Sequence, residues 1–431
     1  MTEARTRIVE IEDVGRDGDG VGRLSDGKVV FVPGTLPGES VAVWIVEEGE
    51  EYARGAVDEL LEPAESRLPP ECPYADRCGG CQFWHVDDDR ELELKVRATR
   101  QLLEREIAQD IPEPEVVAAP HDRRYRTTVT LHCEPNREAL GFHRASSREV
   151  VPIEDCLVAD ERIRRALEPV RRALATVGRA DVKVETASDT SCVATIEPET
   201  SVEQPPESVR SVAEEFEDIG ALRGMQFVCS KRPWVAGDPT VDASEVLARP
   251  PVETMRVPAG LFRQANPTVN RELVGRVDRA VERLGGGRVL ELYCGAGNLA
   301  FGLDSCDSVL GLEGAEAAVE VARGAALLAQ LDELSFREAD LSEGYRDHVD
   351  PHGDGPFDLV LMDPPRAGAT DVCRELADAP VGGLVYVSCN PDAFVRDVEL
   401  LADGGWQIEA LTVLDMFPRT SDVELVAVLR R

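Results

Sequence analysis

Glu291-Leu292-Tyr293-Cys294-Gly295-Ala296-Gly297-Asn298 decides the fold of this chain. An apolar run leads into two glycines one residue apart, and a helical stretch follows. Glycines at such a turn let the backbone approach a ligand closely. Glu313 comes 18 positions after Gly295, at the end of the next apolar run, where a carboxylate can grip ribose hydroxyls. Asp340 ends a third run, where it can meet an adenine. Nicotinamide cofactors and S-adenosylmethionine (SAM) are held by this same geometry. A tight turn without a ligand is the plain alternative, and Glu313 and Asp340 count against it.

Outward from that loop the pattern is regular. Strands are predicted at 288–293, 308–313, 334–338, 357–362 and 383–388, alternating with helical stretches. This is the signature of an α/β, Rossmann-like, doubly wound parallel sheet. The tail adds strands at 407–415 and 423–430, read as an antiparallel hairpin on the sheet edge. Towards the N-terminus, residues 116–257 mix strands and helices irregularly, an α+β arrangement. Residues 87–107 have helical spacing, with acids early and arginines late, which complements the helix dipole. Residues 63–71 form a Pro/Glu linker. Short runs at 7–12, 28–32, 40–46 and 55–60, broken by Gly, Asp and Pro, predict a small OB-like β-barrel. The expected domains are thus 1–62, 72–257 and 258–431.

At 431 residues, two or three domains are expected. The net charge is −35, and only Lys28, Lys95, Lys183 and Lys231 are lysines. An acidic, lysine-poor surface suits a cytoplasm of very high salt, the habitat of a halophilic archaeon. In molar salt the Debye length falls to about 3 Å, so global repulsion does not exclude a nucleic-acid partner. The expected barrel has six basic and fifteen acidic residues, so no basic patch announces RNA there. The start of the chain is polar, and no run approaches the roughly 20 apolar residues of a membrane span. A cytoplasmic monomer with no membrane partner is expected.

Four motifs carry chemistry. Asp363-Pro364-Pro365-Arg366 follows the fourth strand, a stiff loop that in a SAM fold faces the substrate. Ser388-Cys389-Asn390-Pro391 follows the fifth, at the strand end where open α/β sheets keep their active sites. A buried structural cysteine is the bland reading of Cys389, and a solvent-facing strand residue that of Glu424. Glu424, however, interrupts an apolar stretch, Val423 to Leu429. Finally, Cys72, Cys78 and Cys81 share one glycine-hinged loop. A fourth thiolate would complete a soft sulfur set for iron–sulfur or zinc. Cys156 is the best candidate, with Cys133 and Cys192 competing. An odd total of 11 cysteines argues against a disulfide framework. Cys229, Cys294, Cys306 and Cys373 read as core residues, and His85 as a packing residue.

Taken together, these motifs resemble the RNA uracil-C5 methyltransferase family, over nearly the whole chain. Asp17-Gly18-Asp19-Gly20-Val21-Gly22-Arg23 through Pro37-Gly38-Glu39 is similar to a TRAM domain. The resemblance implies a [4Fe-4S] cluster on Cys72, Cys78, Cys81 and Cys156. Phe262-Arg263-Gln264-Ala265-Asn266 matches an F-x-Q-x-N motif, which implies that Gln264 contacts SAM. Tyr293, Asn298, Glu313, Asp340 and Asp363 fall on further SAM-contacting positions; relatives often carry an amide at the place of Asp340. Cys389 is the implied nucleophile and Glu424, after Asp415-Met416-Phe417-Pro418, the implied base. The implied partner is tRNA or rRNA and the implied product 5-methyluridine. The alternatives are an RNA-binding iron–sulfur protein without turnover, a methyltransferase for another base, or a nicotinamide dehydrogenase. The Cys389–Glu424 pair weighs against the first and Cys389 against the second, while titration of both cofactors separates the third.

Overall fold

The computed structural model describes residues 6–134, 139–187, 190–242, 255–350 and 353–431. The first residues of the expected barrel and the end of the expected middle domain, 243–254, lie outside these.

Strands β1 (Arg7–Val14), β2 (Gly20–Arg23), β3 (Val29–Val32), β4 (Ser40–Glu48) and β5 (Tyr52–Glu62) close into a barrel in the order β1-β2-β3-β5-β4. Its core is small and mostly valine: Val9, Val30, Val32, Val41 and Val43 with Ile11 and Leu24. Strand β2 is absent from the sequence reading, which took Gly18-Asp19-Gly20 at its start for turn punctuation. Gly22 is there because a side chain would strike Val9 and the Glu10 carbonyl.

Helix α1 (Asp88–Glu106) forms where expected, capped by Asp87, whose carboxylate accepts from the Arg90 N–H at 2.9 Å. Strand β6 (Glu115–Val117) follows. The middle sheet comprises β7 (Thr128–Glu134), β8 (Ala139–His143), β9 (Val150–Pro152), β10 (Ala180–Thr186), β11 (Cys192–Pro198), β12 (Leu222–Phe227) and β13 (Trp234–Gly237). Helices α2 (Glu161–Ala173), α3 (Glu207–Glu214) and α4 (Phe216–Ile219) accompany it, and β14 (Thr240–Asp242) pairs with β15 (Arg256–Pro258).

The C-terminal part begins with α5 (Pro267–Leu284), capped by Asn266 and opened by Pro267, whose missing N–H costs nothing at that position. Then come β16 (Arg288–Leu292), β17 (Ser308–Glu313), α6 (Glu316–Ala329), β18 (Leu334–Glu338), β19 (Leu359–Met362), α7 (Thr370–Ala377), β20 (Gly383–Ser388), α8 (Pro391–Asp403), β21 (Gln407–Leu414) and β22 (Glu424–Arg430). The sheet order is β18-β17-β16-β19-β20-β22-β21-β6. Strands β16 to β20 are parallel, and β22 runs antiparallel beside β20. Both faces are covered, so the central strands are largely apolar. Val289, Val309 and Val385 pack on one side with Val277 of α5 and Val319 of α6. Leu290, Leu310 and Leu384 pack on the other with Leu376 of α7 and Phe394 of α8.

Two placements differ from the sequence reading. The C-terminal hairpin is not the sheet edge, because β6 pairs in parallel with β21, Val116 opposite Val413. Helix α1 also packs on this sheet through Leu102 and Leu103. Residues 88–117, grouped by sequence with the middle domain, therefore contribute to the C-terminal layer. A three-residue strand is too short for periodicity to assign it a partner.

Candidate active site

The first strand of the sheet, β16, lies between β17 and β19, so the chain switches direction there and opens a crevice at the strand ends. Tyr293 leaves β16 with φ of 62°, in the left-handed region, followed by Gly295 and Gly297 at 55° and 90°. A side chain on Gly297 would meet the Phe301 ring at 2.5 Å. The glycine is needed both for its backbone angle and for that approach. Glu313 accepts from the Gly295 N–H at 3.0 Å and the Ala315 N–H at 2.8 Å. Tyr293, Glu313 and Asp340 line one cleft of about 400 Å³ with Pro365 and Thr370. The Ser342 N–H donates to Asp340 at 3.0 Å and holds its carboxyl below the usual range. Asn298 is not among the walls of that cleft; it exchanges two hydrogen bonds with Asn270, at 2.9 and 3.1 Å. Gln264 is buried on the segment leading to α5. Glu185, buried on β10, accepts from the Gly260 N–H at 2.6 Å and so steadies the start of that segment.

Cys389 and Glu424 meet through strand register. The antiparallel pairing of β20 and β22 runs from Gly383 opposite Arg430 to Ser388 opposite Leu425. The next residues are Cys389 and Glu424. Asp363 follows β19, whose Met362 is level with Tyr386 of β20. The thiol and both carboxyls thus gather at one end of three neighbouring strands. Glu424 is only 1% exposed, which removes the solvent-facing reading, and its Oε1 has no hydrogen-bond partner. Burial, then Asp363 and Asp422, push its carboxyl well above the carboxylate range. Burial takes Asp363 up to about 7. Burial, then Glu424 and Asp363, push the half-buried Cys389 thiol up to about 12, against the opposing pull of Arg366.

Sequence reasoning missed Glu291. It stands one residue before the end of β16, fully buried, with Oε2 unpartnered, and burial and Asp363 raise its carboxyl strongly. Its signal was a carboxylate inside the apolar run of the opening motif. The buried Glu291 and Glu424 and the half-buried Asp363, all with depressed acidity, favour a cationic ligand. SAM carries a sulfonium and an ammonium.

Also missed was the support beneath the 415–423 loop. Lys95 of α1 donates to Asp415 at 2.6 Å, the Phe417 carbonyl at 3.1 Å and Glu91 at 3.3 Å, all in the interior. Arg419, with φ of 71°, donates its N–H to Glu91 at 2.6 Å and its guanidinium to the Val86 carbonyl at 2.9 Å and Asp122 at 2.6 Å. A buried lysine in a chain with four was the available signal.

The cysteine loop adjoins this support. Gln82, next to Cys81, donates its N–H to the Arg419 carbonyl at 2.8 Å and accepts from the Ser421 N–H at 3.1 Å. Cys72, Cys78, Cys81 and Cys156 line one largely apolar pocket with Tyr74, Trp84 and Phe142. The competing Cys133 and Cys192 are buried in the middle sheet core. Burial raises the Cys81 thiol to about 12 and Cys156 to about 11. Among the described residues, no three His, Cys, Asp or Glu form a group that could hold a metal ion. His85 stands outside the pocket, stacked on Phe83, and burial lowers it to about 4.

Comparison with known proteins agrees with this layout. The family described as tRNA (Uracil-5-)-methyltransferase matches residues 251–431, and the TRAM domain matches residues 2–57. The chain is 32% identical over 449 residues to 23S rRNA (uracil(1939)-C(5))-methyltransferase RlmD of Salmonella paratyphi A, spanning 100% of this chain and 97% of that protein. It is 31% identical over 431 residues to the RlmD of Chromohalobacter salexigens, spanning 98% of this chain and 89% of that one. A crystal structure of Pyrococcus abyssi tRNA (uracil-54, C5)-methyltransferase with S-adenosyl-L-homocysteine superposes with a TM-score of 0.73 at 23% identity, covering 99% of this chain and 100% of that one. That likeness fixes the fold along the whole length. The chain belongs to the family of SAM-dependent RNA uracil-C5 methyltransferases.

Proposed function

We propose that this protein methylates C5 of one uridine in rRNA or tRNA, with Cys389 as nucleophile and Glu424 as base. The sequence relatives favour large-subunit rRNA. The single observation that carries the reading is the register that brings Cys389 level with a buried, unpartnered Glu424. C5 of uracil is a poor nucleophile. Addition of the Cys389 sulfur to C6 moves the ring electrons to C5, which takes the methyl group from SAM and leaves S-adenosylhomocysteine. Glu424 then removes the C5 proton, the C5–C6 double bond re-forms, and the sulfur departs as thiolate.

In the free protein the thiol is held protonated, with a carboxyl beside it. A cationic cosubstrate near Asp363, Glu291 and Glu424 draws those carboxyls towards their ionised forms, and an ionised neighbour can take the thiol proton. Tyr293, Glu313, Asp340 and Asp363 form the SAM site in this reading, with Gln264 closing it and Asn298 acting through Asn270. The stacked uridine has to be turned out of its strand to reach Cys389.

The four cysteines do not close on a single metal ion, but their sharing of one pocket, with Arg126 as a neighbouring positive charge, supports a larger [4Fe-4S] cluster held by Cys72, Cys78, Cys81 and Cys156. Such a cluster supplies cross-linking of two chain segments by thiolate ligation. Through Gln82 it would buttress the loop that carries Glu424. The acidic, lysine-poor surface supports work at high salt in a cytoplasm. The test is incubation with methyl-labelled SAM and unmodified 23S rRNA or tRNA, followed by nucleoside analysis. Label in 5-methyluridine is expected; label only in another nucleoside contradicts the reading.

A further inference from the structure

The catalytic residues do not say where the RNA strand lies. In a chain of net charge −35, positive charge gathers in one groove of about 270 Å³. His121, Arg123, Arg124, Arg162 and Arg271 line it against a single carboxylate, Asp160. One wall is the loop 120–127 leading into β7. The other is the first turn of α5, directly after the segment that carries Gln264.

Both walls are tied to the loop that leads to Glu424. The Tyr125 hydroxyl donates to the Pro418 carbonyl at 2.8 Å, and the Asn266 amide donates to the Met416 carbonyl at 3.1 Å. Arg124 holds φ of 57°, a left-handed backbone that only a few non-glycine residues here share, Tyr293 and Arg419 among them. Its N–H donates to the Leu157 carbonyl at 3.0 Å, which locks the turn. The side chain is 64% exposed, and its nearest carboxylate, Glu161, is 3.7 Å away. Arg123 and Arg162 are held more closely, by Glu71 and Asp160, each at 2.8 Å.

A groove of guanidiniums fits an oxyanion ligand, because the planar donor fork matches phosphate oxygens. It suits SAM less well, since SAM carries a net positive charge and a single carboxylate.

We propose that this groove seats the ribose–phosphate backbone of the substrate RNA beside the target uridine, with Arg124 and Arg271 contacting phosphates. This rests on the reading of the protein as an RNA methyltransferase. Phosphate contacts set position and register without reading sequence, so the groove aligns the strand and the site beyond it selects the uridine.

The test uses the full chain with Arg124→Ala and Arg271→Ala combined, titrated with transcribed tRNA and with a 23S rRNA fragment over a salt series. RNA affinity should fall at least about tenfold, and the log–log salt slope should become shallower by about 0.7 for each phosphate contact removed from a single strand. Affinity for SAM should stay within about twofold, and Arg124→Lys with Arg271→Lys, which keep the charge but not the planar fork, should recover only part of the loss. Should the double variant lose SAM binding, Arg124→Ala alone carries the test, because its side chain is exposed. Unchanged RNA affinity and slope overturn the proposal. So does a changed oligomeric state by light scattering with RNA affinity intact, which would make the groove a contact between copies. Failure of the wild-type protein to form 5-methyluridine in either RNA is a separate result and sinks the assigned reaction instead.

Discussion

Arg16, in the turn between the first two barrel strands, donates from Nη2 to Asn390 Oδ1 at 2.7 Å, across 374 residues of chain. Its Nε stands 2.5 Å from Asp392. Asn390 follows Cys389, caps α8, and donates its amide to the Arg366 carbonyl at 2.9 Å. A barrel residue therefore buttresses the turn that holds the proposed nucleophile.

Arg16→Ala should lower the methylation rate at saturating RNA and SAM by about tenfold, since a charge-assisted hydrogen bond is worth about 1.5–3 kcal/mol. Affinity for SAM should not change, and Arg16→Lys should restore the rate only in part. Steady-state kinetics checks this; an unaltered rate would mean that the barrel rests passively on the catalytic domain.

Asp363→Asn should stabilise the free protein at alkaline pH. Burial raises the carboxyl from 3.8 to about 7, so the fold favours its protonated form. That contribution is complete below pH 4 and is lost as pH rises through 7. The asparagine stays neutral throughout. At pH 8 the variant should gain on the order of 2–4 kcal/mol, at about 1.4 kcal/mol per pKa unit, and at pH 4 nothing. Thermal melts at the two pH values measure it, and an equal shift at both would refute the cause given. Glu424→Gln should shift in the same direction.

The two catalytic roles separate by their products. Cys389→Ala should lose methylation and every covalent RNA adduct, because no sulfur can add to C6. Glu424→Gln should still add and transfer the methyl group, but the C5 proton stays, so a methylated adduct should accumulate. A denaturing gel with labelled RNA distinguishes them. Normal turnover of Glu424→Gln would pass the base role to Asp363 or water.

Protein purified without oxygen should contain iron and acid-labile sulfide in about equal amounts. Cys156→Ser should lose most of both, whereas Cys133→Ser should lose neither, being buried in the middle sheet core. Stoichiometric zinc without sulfide would instead identify a structural zinc site.

Much of this was readable from local sequence, because the chemistry depends on motifs at strand ends. The predicted strands 308–313, 334–338 and 383–388 match the observed bounds. What escaped depends on distance along the chain. Strand β6 is recognised only by its partner β21, and Lys95 matters only because Asp415, 320 residues later, folds against it. Glu291 was hidden because a strand-end glutamate looks the same in sequence whether or not its carboxyl is partnered. Arg16 sits among turn residues whose glycines explain themselves, so nothing local marks its reach to Asn390.

The assignment of Cys389 as nucleophile is tested with RNA carrying 5-fluorouridine at the target position, incubated with the protein and SAM and then digested for mass spectrometry. Fluorine replaces the proton that Glu424 would remove, so the reaction should stop after methyl transfer. A stable adduct is expected in which the peptide containing Cys389 carries a methylated fluorouridine nucleotide. An adduct on any other residue, or fluorouridine methylated without a covalent bond to the protein, would contradict that assignment.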